Sequence, residues 1–161
     1  MNVQSQADAV KDWLQAYLKG EEKIDNLLER LRSLQARMRS IGAQELSDMP
    51  RPPSAPKDRM AEYVVQCESL EYEIKKAIRE QDLCRKSLLA LTAQLKRPEA
   101  CSLIRYRYLY GYEWTEIMKK LYENQKDLAE KENAYRRKMY RLHESALKEM
   151  AKLWNKDSKS N

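Results

Sequence analysis

Apolar residues recur along two long stretches of the chain in alternating steps of three and four residues. The first series comprises Val10, Trp13, Tyr17, Gly20, Ile24, Leu27, Leu31, Leu34, Met38 and Ile41. The second series comprises Met60, Tyr63, Cys67, Leu70, Ile74, Ala77, Gln81, Cys84, Leu88, Leu91 and Leu95. Gly20 and Gln81 hold positions in the two series without being apolar, and each weakens its seam locally. Such alternation is the heptad pattern of helices that pair along an apolar seam. It predicts two coiled-coil helices, at about residues 8–41 and 59–96.

The segment between the two series, residues 42–58, holds four of the five prolines. Proline removes a backbone donor and clashes with the preceding helical turn, so this segment cannot be helical throughout. We predict a loop at 42–58 that lets the two helices fold back on each other within one chain. Pairing between chains is the alternative. Residues 1–97 are then a helical hairpin domain.

A different pattern of shorter segments begins at Pro98, a residue suited to a first helical position, which needs no N–H donor. Helices are predicted at about 98–110 and 113–122, and a third runs from the stretch that begins at residue 132 to about 154. We therefore predict a second domain at 98–155 and a disordered tail at 156–161. With only 3 Gly, 5 Pro and no Phe, and 35% charged residues, the composition also favours helix over sheet, so the fold class is all-α.

Positive charge is concentrated in the last third of the chain. Residues 1–58 hold 9 basic and 9 acidic residues, residues 59–100 hold 8 and 7, and residues 101–161 hold 14 and 9. Most of the net charge of +6 therefore lies after residue 100. A localised basic surface can bind nucleic acid, because neutralising phosphates releases their counterions.

Four cations, Arg136, Arg137, Lys138 and Arg141, lie within about two turns of the last predicted helix, with Tyr140 among them. An apolar stripe runs along the same helix and comprises Tyr135, Met139, Leu142, Ala146, Met150 and Leu153. One face should therefore pack against the other helices while the basic face meets solvent or DNA. An ordinary solvated helix surface is the alternative explanation.

Residues 103–147 contain several short motifs: Arg107-Tyr108-Leu109, Gly111, Trp114, Glu116-Ile117, Tyr140-Arg141-Leu142-His143 and Ala146-Leu147. These motifs resemble the helix-turn-helix of the promoter-reading C-terminal domain of sigma factors. Together with the hairpin, which is interrupted by Leu46-Ser47-Asp48-Met49-Pro50, they resemble the ArpU-type (autolysin-regulator-like) transcriptional regulators of phages and prophages of Gram-positive bacteria.

This resemblance implies an antiparallel coiled-coil hairpin followed by a three-helix helix-turn-helix module that binds double-stranded DNA at promoters. We expect the hairpin to serve oligomerisation or contact with RNA polymerase. The residues expected to contact DNA are Thr115, Lys119, Arg136, Arg137, Lys138, Tyr140 and Arg141.

The sequence departs from the usual motif at two places. Residues 123–133 separate the second and third helices of the module, where three or four residues are usual. Because Leu128 is in phase with Tyr135 and Met139, we predict that the recognition helix extends backwards through this insertion. At the start of the second helix, Glu113 replaces the Ser or Thr cap, which disfavours a phosphate contact there.

Two other functions are alternatives: a DNA-packaging protein similar to the small subunit of phage terminases, and a coiled-coil adaptor without specific DNA binding. We expect no enzymatic activity, metal or cofactor, because the chain has no phosphate-binding glycine loop and a single histidine, His143, which we assign a structural role. Cys67, Cys84 and Cys101 are expected to be free thiols. The absence of a signal peptide or apolar span predicts a cytoplasmic protein with no membrane partner.

Overall fold

The computed structural model describes residues 2–45 and 56–158, and all of the regular secondary structure in these two ranges is helical. The α-helices are α1 Val3–Glu45, α2 Pro56–Ala93, α3 Pro98–Ile104, α4 Trp114–Tyr122 and α5 Glu132–Ser158. A π-helical turn, Arg105–Leu109, continues α3. The all-α fold predicted from the sequence is therefore confirmed. None of the described helices carries an apolar stretch that could cross a bilayer.

The predicted helix boundaries need correction at both sides of the proline-rich segment. Residues 42–45 belong to α1, and α2 begins at Pro56, so the predicted loop at 42–58 was too long. Proline at the first position of a helix loses no hydrogen bond, which allows α2 to start there. The remainder of the predicted loop, 46–55, lies outside the described residues.

Two predicted helix ends also differ from the structure. Helix α2 stops at Ala93 instead of about residue 96, because the chain turns there, with the Leu95 N–H donating to the Thr92 carbonyl at 3.2 Å. Helix α5 continues to Ser158, so residues 156–158 are helical and not a disordered tail. Residues 159–161 lie outside the described residues. Near this end of α5, Trp154 contacts Trp13 edge to face, with ring centroids 4.9 Å apart.

The described residues divide into two compact units, of which the second is Gly20–Asp82. Its apolar contacts centre on Leu34, Cys67 and Leu70, with the Cys67 thiol 3.6 Å from the Met38 sulfur. Elsewhere in the same unit the Gln81 carboxamide donates to the Glu21 carboxylate at 3.1 Å. Residues early in α1 thus pair with residues late in α2, so the two helices run antiparallel within one chain. This confirms the predicted hairpin.

The first unit joins residues of Met1–Lys19 to residues of Leu83–Asn161 around one core. This core comprises Ala7, Val10, Leu14, Tyr17, Leu88, Leu91, Leu95, Ala100, Leu103, Ile104, Tyr108, Ile117, Met118, Tyr122, Met139, Leu142, Ala146, Leu147, Met150 and Ala151. Both long helices contribute one end to it. The predicted domain boundary at 97/98 therefore does not coincide with the division between the compact units.

Candidate nucleic-acid interface

Helix α5 buries the apolar stripe that the sequence predicts. Met139 and Met150 are fully buried, Leu142 and Ala146 are nearly so, and all four lie in the core of the first unit. Tyr135 and Leu153, the ends of the predicted stripe, are half-buried and pack against the same core. The stripe therefore fixes which side of α5 faces the protein, and leaves the opposite side exposed.

The middle of α5 is held by His143, which is buried among aromatic side chains. Its Nε2 lies 3.0 Å from the Tyr108 hydroxyl, and its ring stacks on Tyr108 and meets Trp114 edge to face. Burial, together with the positive charges of Lys11 and Arg107, lowers the pKa of His143 from 6.5 to about 4. The histidine is therefore neutral at pH 7, and its contacts agree with the structural role predicted for it.

Arg107 connects the π-helical turn after α3 to the start of α4. Its guanidinium donates to the Tyr112 carbonyl at 3.0 Å, lies 3.6 Å from the Glu113 carboxylate, and packs 5.0 Å from the centre of the Trp114 ring. Trp114 in turn contacts Tyr140 of α5, with ring centroids 5.3 Å apart. Both residues belong to the motif that the sequence contains; Trp114 contacts α5 directly, and Arg107 packs on Trp114.

The segment between α4 and α5 is a series of turns, so the predicted backward extension of the recognition helix was wrong. Helix α5 begins at Glu132, and residues 123–131 are not helical. The Tyr135 hydroxyl donates to the Asp127 carboxylate at 2.7 Å, and Lys131 lies 3.1 Å from the same group. These two contacts lower the pKa of Asp127. Leu128 is half-buried and packs against the core from these turns.

The four cations of α5 differ in what they contact. Arg136 is paired with Glu132 at 2.8 Å, and the Lys138 ammonium lies 5.3 Å from the centre of the Tyr122 ring. Arg137 and Arg141 are exposed one helical turn apart, and neither has a carboxylate partner within the described ranges. These two arginines are therefore available to an external anion without breaking an ion pair.

Thr115 and Lys119 are both exposed and, four residues apart, share one face of α4. The start of this helix is acidic, because Glu113 and Glu116 cap it reciprocally and the Glu116 carboxylate accepts the Glu113 N–H at 3.1 Å. This arrangement agrees with the expectation that Glu113 disfavours a phosphate contact at the helix start. Lys119 lies more than one turn beyond Glu113 but only three residues beyond Glu116, so it is separated along the helix from the first carboxylate alone.

A shallow groove with a volume of about 470 Å³ continues the basic surface beyond Arg141. It is lined by Lys96, Arg141, Glu144, Ser145, Lys148, Glu149 and Lys152. Lys148 is paired with Glu144 at 2.8 Å, and Glu149 accepts the Lys96 backbone N–H at 3.0 Å. Lys96 and Lys152, which also line the groove, are exposed residues. Sequence reasoning missed Lys96 and Lys152, since neither belongs to the basic run.

No protein-family model, curated protein or solved structure matches this sequence. Among the described residues, no group of three or more His, Cys, Asp or Glu side chains is arranged to hold a metal ion. Cys67 is buried in the core of the second unit, and Cys84 is half-buried against the core of the first. Both thiols fill seam positions, as predicted.

Proposed function

We propose that the first unit binds double-stranded DNA as a sequence-specific helix-turn-helix module, with α5 as the recognition helix in the major groove. The observation that carries this proposal is the pair of exposed arginines, Arg137 and Arg141, which lie one turn apart opposite the buried stripe and have no carboxylate partner in the described ranges. Arginine presents a planar pair of donors that matches the O6 and N7 acceptors of guanine.

The remaining cations of the surface suit phosphate contacts. Lys138 projects beside the reading face, and Lys119 of α4 is exposed. Lys96 and Lys152 extend the basic surface along the groove beyond Arg141. Arg136 has an ion pair to give up before it contacts a phosphate, so we assign it a smaller contribution. Thr115 and Tyr140, both exposed, complete the surface that faces the duplex.

The regulatory role is carried by the resemblance to ArpU-type regulators of phages and prophages, and we propose that this protein acts at promoters. The second unit then supplies protein contacts: its α2 exposes apolar side chains that the hairpin does not cover, among them Val64, Val65 and Ile78. A second copy of the chain and RNA polymerase are the two partners that this surface would serve.

Two measurements test the proposal. Genome-wide mapping of bound DNA should place the protein at promoters, whereas occupancy of a single packaging site would assign it to DNA packaging instead. The mapped sites then supply a cognate duplex for titrations of variants. Replacing Arg137 or Arg141 by Ala should cost about 1 to 3 kcal/mol on this duplex and less on a random one, because a guanine contact is lost.

Two further variants complete the titrations. Lys138→Ala should weaken binding to both duplexes alike and reduce the salt slope by about one unit, because it removes one phosphate contact. Arg79→Ala, which removes the same charge from an exposed position of α2, should change neither affinity. Equal losses on cognate and random duplexes for Arg137→Ala and Arg141→Ala would contradict base recognition by α5 and leave only a basic helix.

A further inference from the structure

Three tyrosines of the first unit form a surface cluster that the proposed duplex contact does not use. The ring centroids of Tyr106, Tyr110 and Tyr112 lie 6.2 Å (106 to 110), 5.8 Å (106 to 112) and 5.9 Å (110 to 112) apart. Tyr106 and Tyr112 are half-buried, whereas Tyr110 is 60% exposed. We call this cluster the tyrosine surface. It exposes the Tyr110 ring to solvent, and the Tyr106 and Tyr112 rings lie against it.

An irregular backbone holds these rings in place. Tyr106 and Tyr110 lie in and directly after the π-helical turn, where the Tyr110 N–H donates to the Arg105 carbonyl at 3.0 Å. The Tyr112 N–H donates to the Tyr106 carbonyl at 3.0 Å. The chain turns at Gly111, whose φ of 69° is a left-handed conformation that glycine adopts readily. Turns of the π type are rare and are frequent at functional sites.

The charge beside the tyrosine surface indicates what it could bind. The Lys120 ammonium lies 5.0 Å from the centre of the Tyr112 ring, so a cation already occupies that aromatic face. This disfavours a cationic ligand such as a methylated amine. The exposed Tyr110 ring lies beside the Tyr112 ring that carries this ammonium. Such a pair instead suits an unpaired nucleobase, which stacks on the exposed ring while a neighbouring phosphate meets the cation.

We propose that the tyrosine surface stacks an unpaired base of DNA, so that the protein binds locally opened DNA more tightly than intact duplex. Tyr110 provides the stacking face, Tyr106 and Tyr112 support it, and Lys120 contacts a phosphate of the same strand. The proposal rests on the proposed function in one respect: α5 would bind the duplex part of the DNA and so bring the opened strand to the tyrosine surface. Binding to an isolated single strand does not depend on α5.

The test compares three labelled DNA probes with the full chain: a duplex, the same duplex with a mismatched central segment, and oligo-dT. A 2-aminopurine in the mismatched segment reports stacking by loss of fluorescence. We expect the wild type to bind the opened duplex more tightly than the intact one and to quench the 2-aminopurine. Tyr110→Ala should lose at least about five-fold in affinity for the opened duplex, the lower limit for stacking one base on an aromatic ring.

Two matched variants separate stacking from other effects. Tyr110→Phe keeps the ring and should bind as the wild type does. Tyr72→Ala removes a tyrosine of similar exposure, 66%, from α2 and should change nothing. Circular dichroism should give the same helicity for all variants, since the Tyr110 ring is largely outside the core. Quenching by Tyr110→Ala equal to that of the wild type would overturn the proposal.

Three other outcomes have a definite meaning. Equal affinity of the wild type for intact and opened duplex overturns the inference while leaving the proposed function intact. The wild type could bind no duplex and still bind oligo-dT in a way that Tyr110→Ala abolishes. That result contradicts the proposed function and supports the inference. The wild type could also bind single-stranded RNA of the same sequence, or a proline-rich peptide, more tightly than the opened duplex. If Tyr110→Ala abolishes that binding, the tyrosine surface belongs to that ligand and the inference is overturned.

Discussion

Acidification from pH 7 to pH 5 should destabilise the folded protein through one residue, His143. The imidazole is 8% exposed, packs on Tyr108 and Trp114, and has its pKa lowered from 6.5 to about 4, chiefly by burial. Unfolding exposes it to water and restores the ordinary pKa. Between pH 6.5 and about 4 the unfolded chain therefore binds more protons than the folded one, and stability falls as the pH falls.

The size of the effect follows from this difference in pKa. Each pKa unit corresponds to about 1.36 kcal/mol, so the full loss of stability, which is reached only below the folded pKa of about 4, is about 3 kcal/mol. At pH 5 the folded histidine is still mostly neutral while the unfolded one is protonated, and about 2 kcal/mol of this is already lost. Hydrogen bonds lower the pKa of Asp127 and Glu144, so these carboxylates weaken the fold only as the pH falls through and below their ordinary values of 3.8 and 4.5.

Urea unfolding at pH 7 and pH 5 measures this loss directly. Because His143 is the only histidine, His143→Gln removes the titration from this window while its carboxamide can still reach the Tyr108 hydroxyl. Whatever the stability of the variant at pH 7, its free energy of unfolding should change far less between the two pH values. A nuclear magnetic resonance titration of His143 that gives a pKa near 6.5, or equal pH dependence in both proteins, would refute the reasoning.

Two glycines allow further stability predictions, both measurable by urea unfolding. Gly111→Ala should destabilise the protein by about 1 kcal/mol or more, because φ is 69° there, and an unchanged midpoint would contradict the turn geometry. A Cβ at Gly20 would collide with the Gln81 carboxamide, so Gly20→Ala in a Gln81→Ala background should gain about 1 kcal/mol of helix propensity and less in the wild type. Equal gains in both backgrounds would show that Gln81 moves aside at no cost.

The helical hairpin could be predicted because its signal is local and repeated. Cys67 and Leu70 occupy adjacent positions of the second apolar series, and both are buried against residues of the first series. The same argument succeeded for α5, where Met139 and Met150 lie on the predicted stripe and are fully buried. Periodicity identifies the buried face of a helix reliably when that face continues over several turns.

Contacts between distant parts of the chain could not be predicted in this way. Trp13 belongs to the first apolar series, yet it also contacts Trp154 near the end of α5. A helical period shows which side of a residue's own helix is apolar, but not which of several apolar surfaces will cover it. The start of α1 and the end of α2 share one core with the C-terminal helices, and only the structure reveals this core.

The turns before α5 were missed for a different reason. The phase of Leu128 relative to Tyr135 is compatible with a continuous helix, and Leu128 does reach the core. Across the turns the Tyr135 hydroxyl donates to Asp127, a side-chain contact that periodicity does not register. The residues of α5 predicted to contact DNA are not affected by this break, because the buried stripe that orients the helix begins at Tyr135.

Arg107 links the two surfaces for which we propose DNA contacts. Its guanidinium donates to the carbonyl of Tyr112, a member of the tyrosine surface, and packs on Trp114, which contacts the exposed Tyr140 of α5. A substitution at Arg107 would therefore disturb both surfaces, and the resulting loss of DNA binding could not be attributed to one of them. Tyr110 and Arg141 are exposed and lie outside these linking contacts, so their variants can separate stacking of an unpaired base from recognition of the duplex.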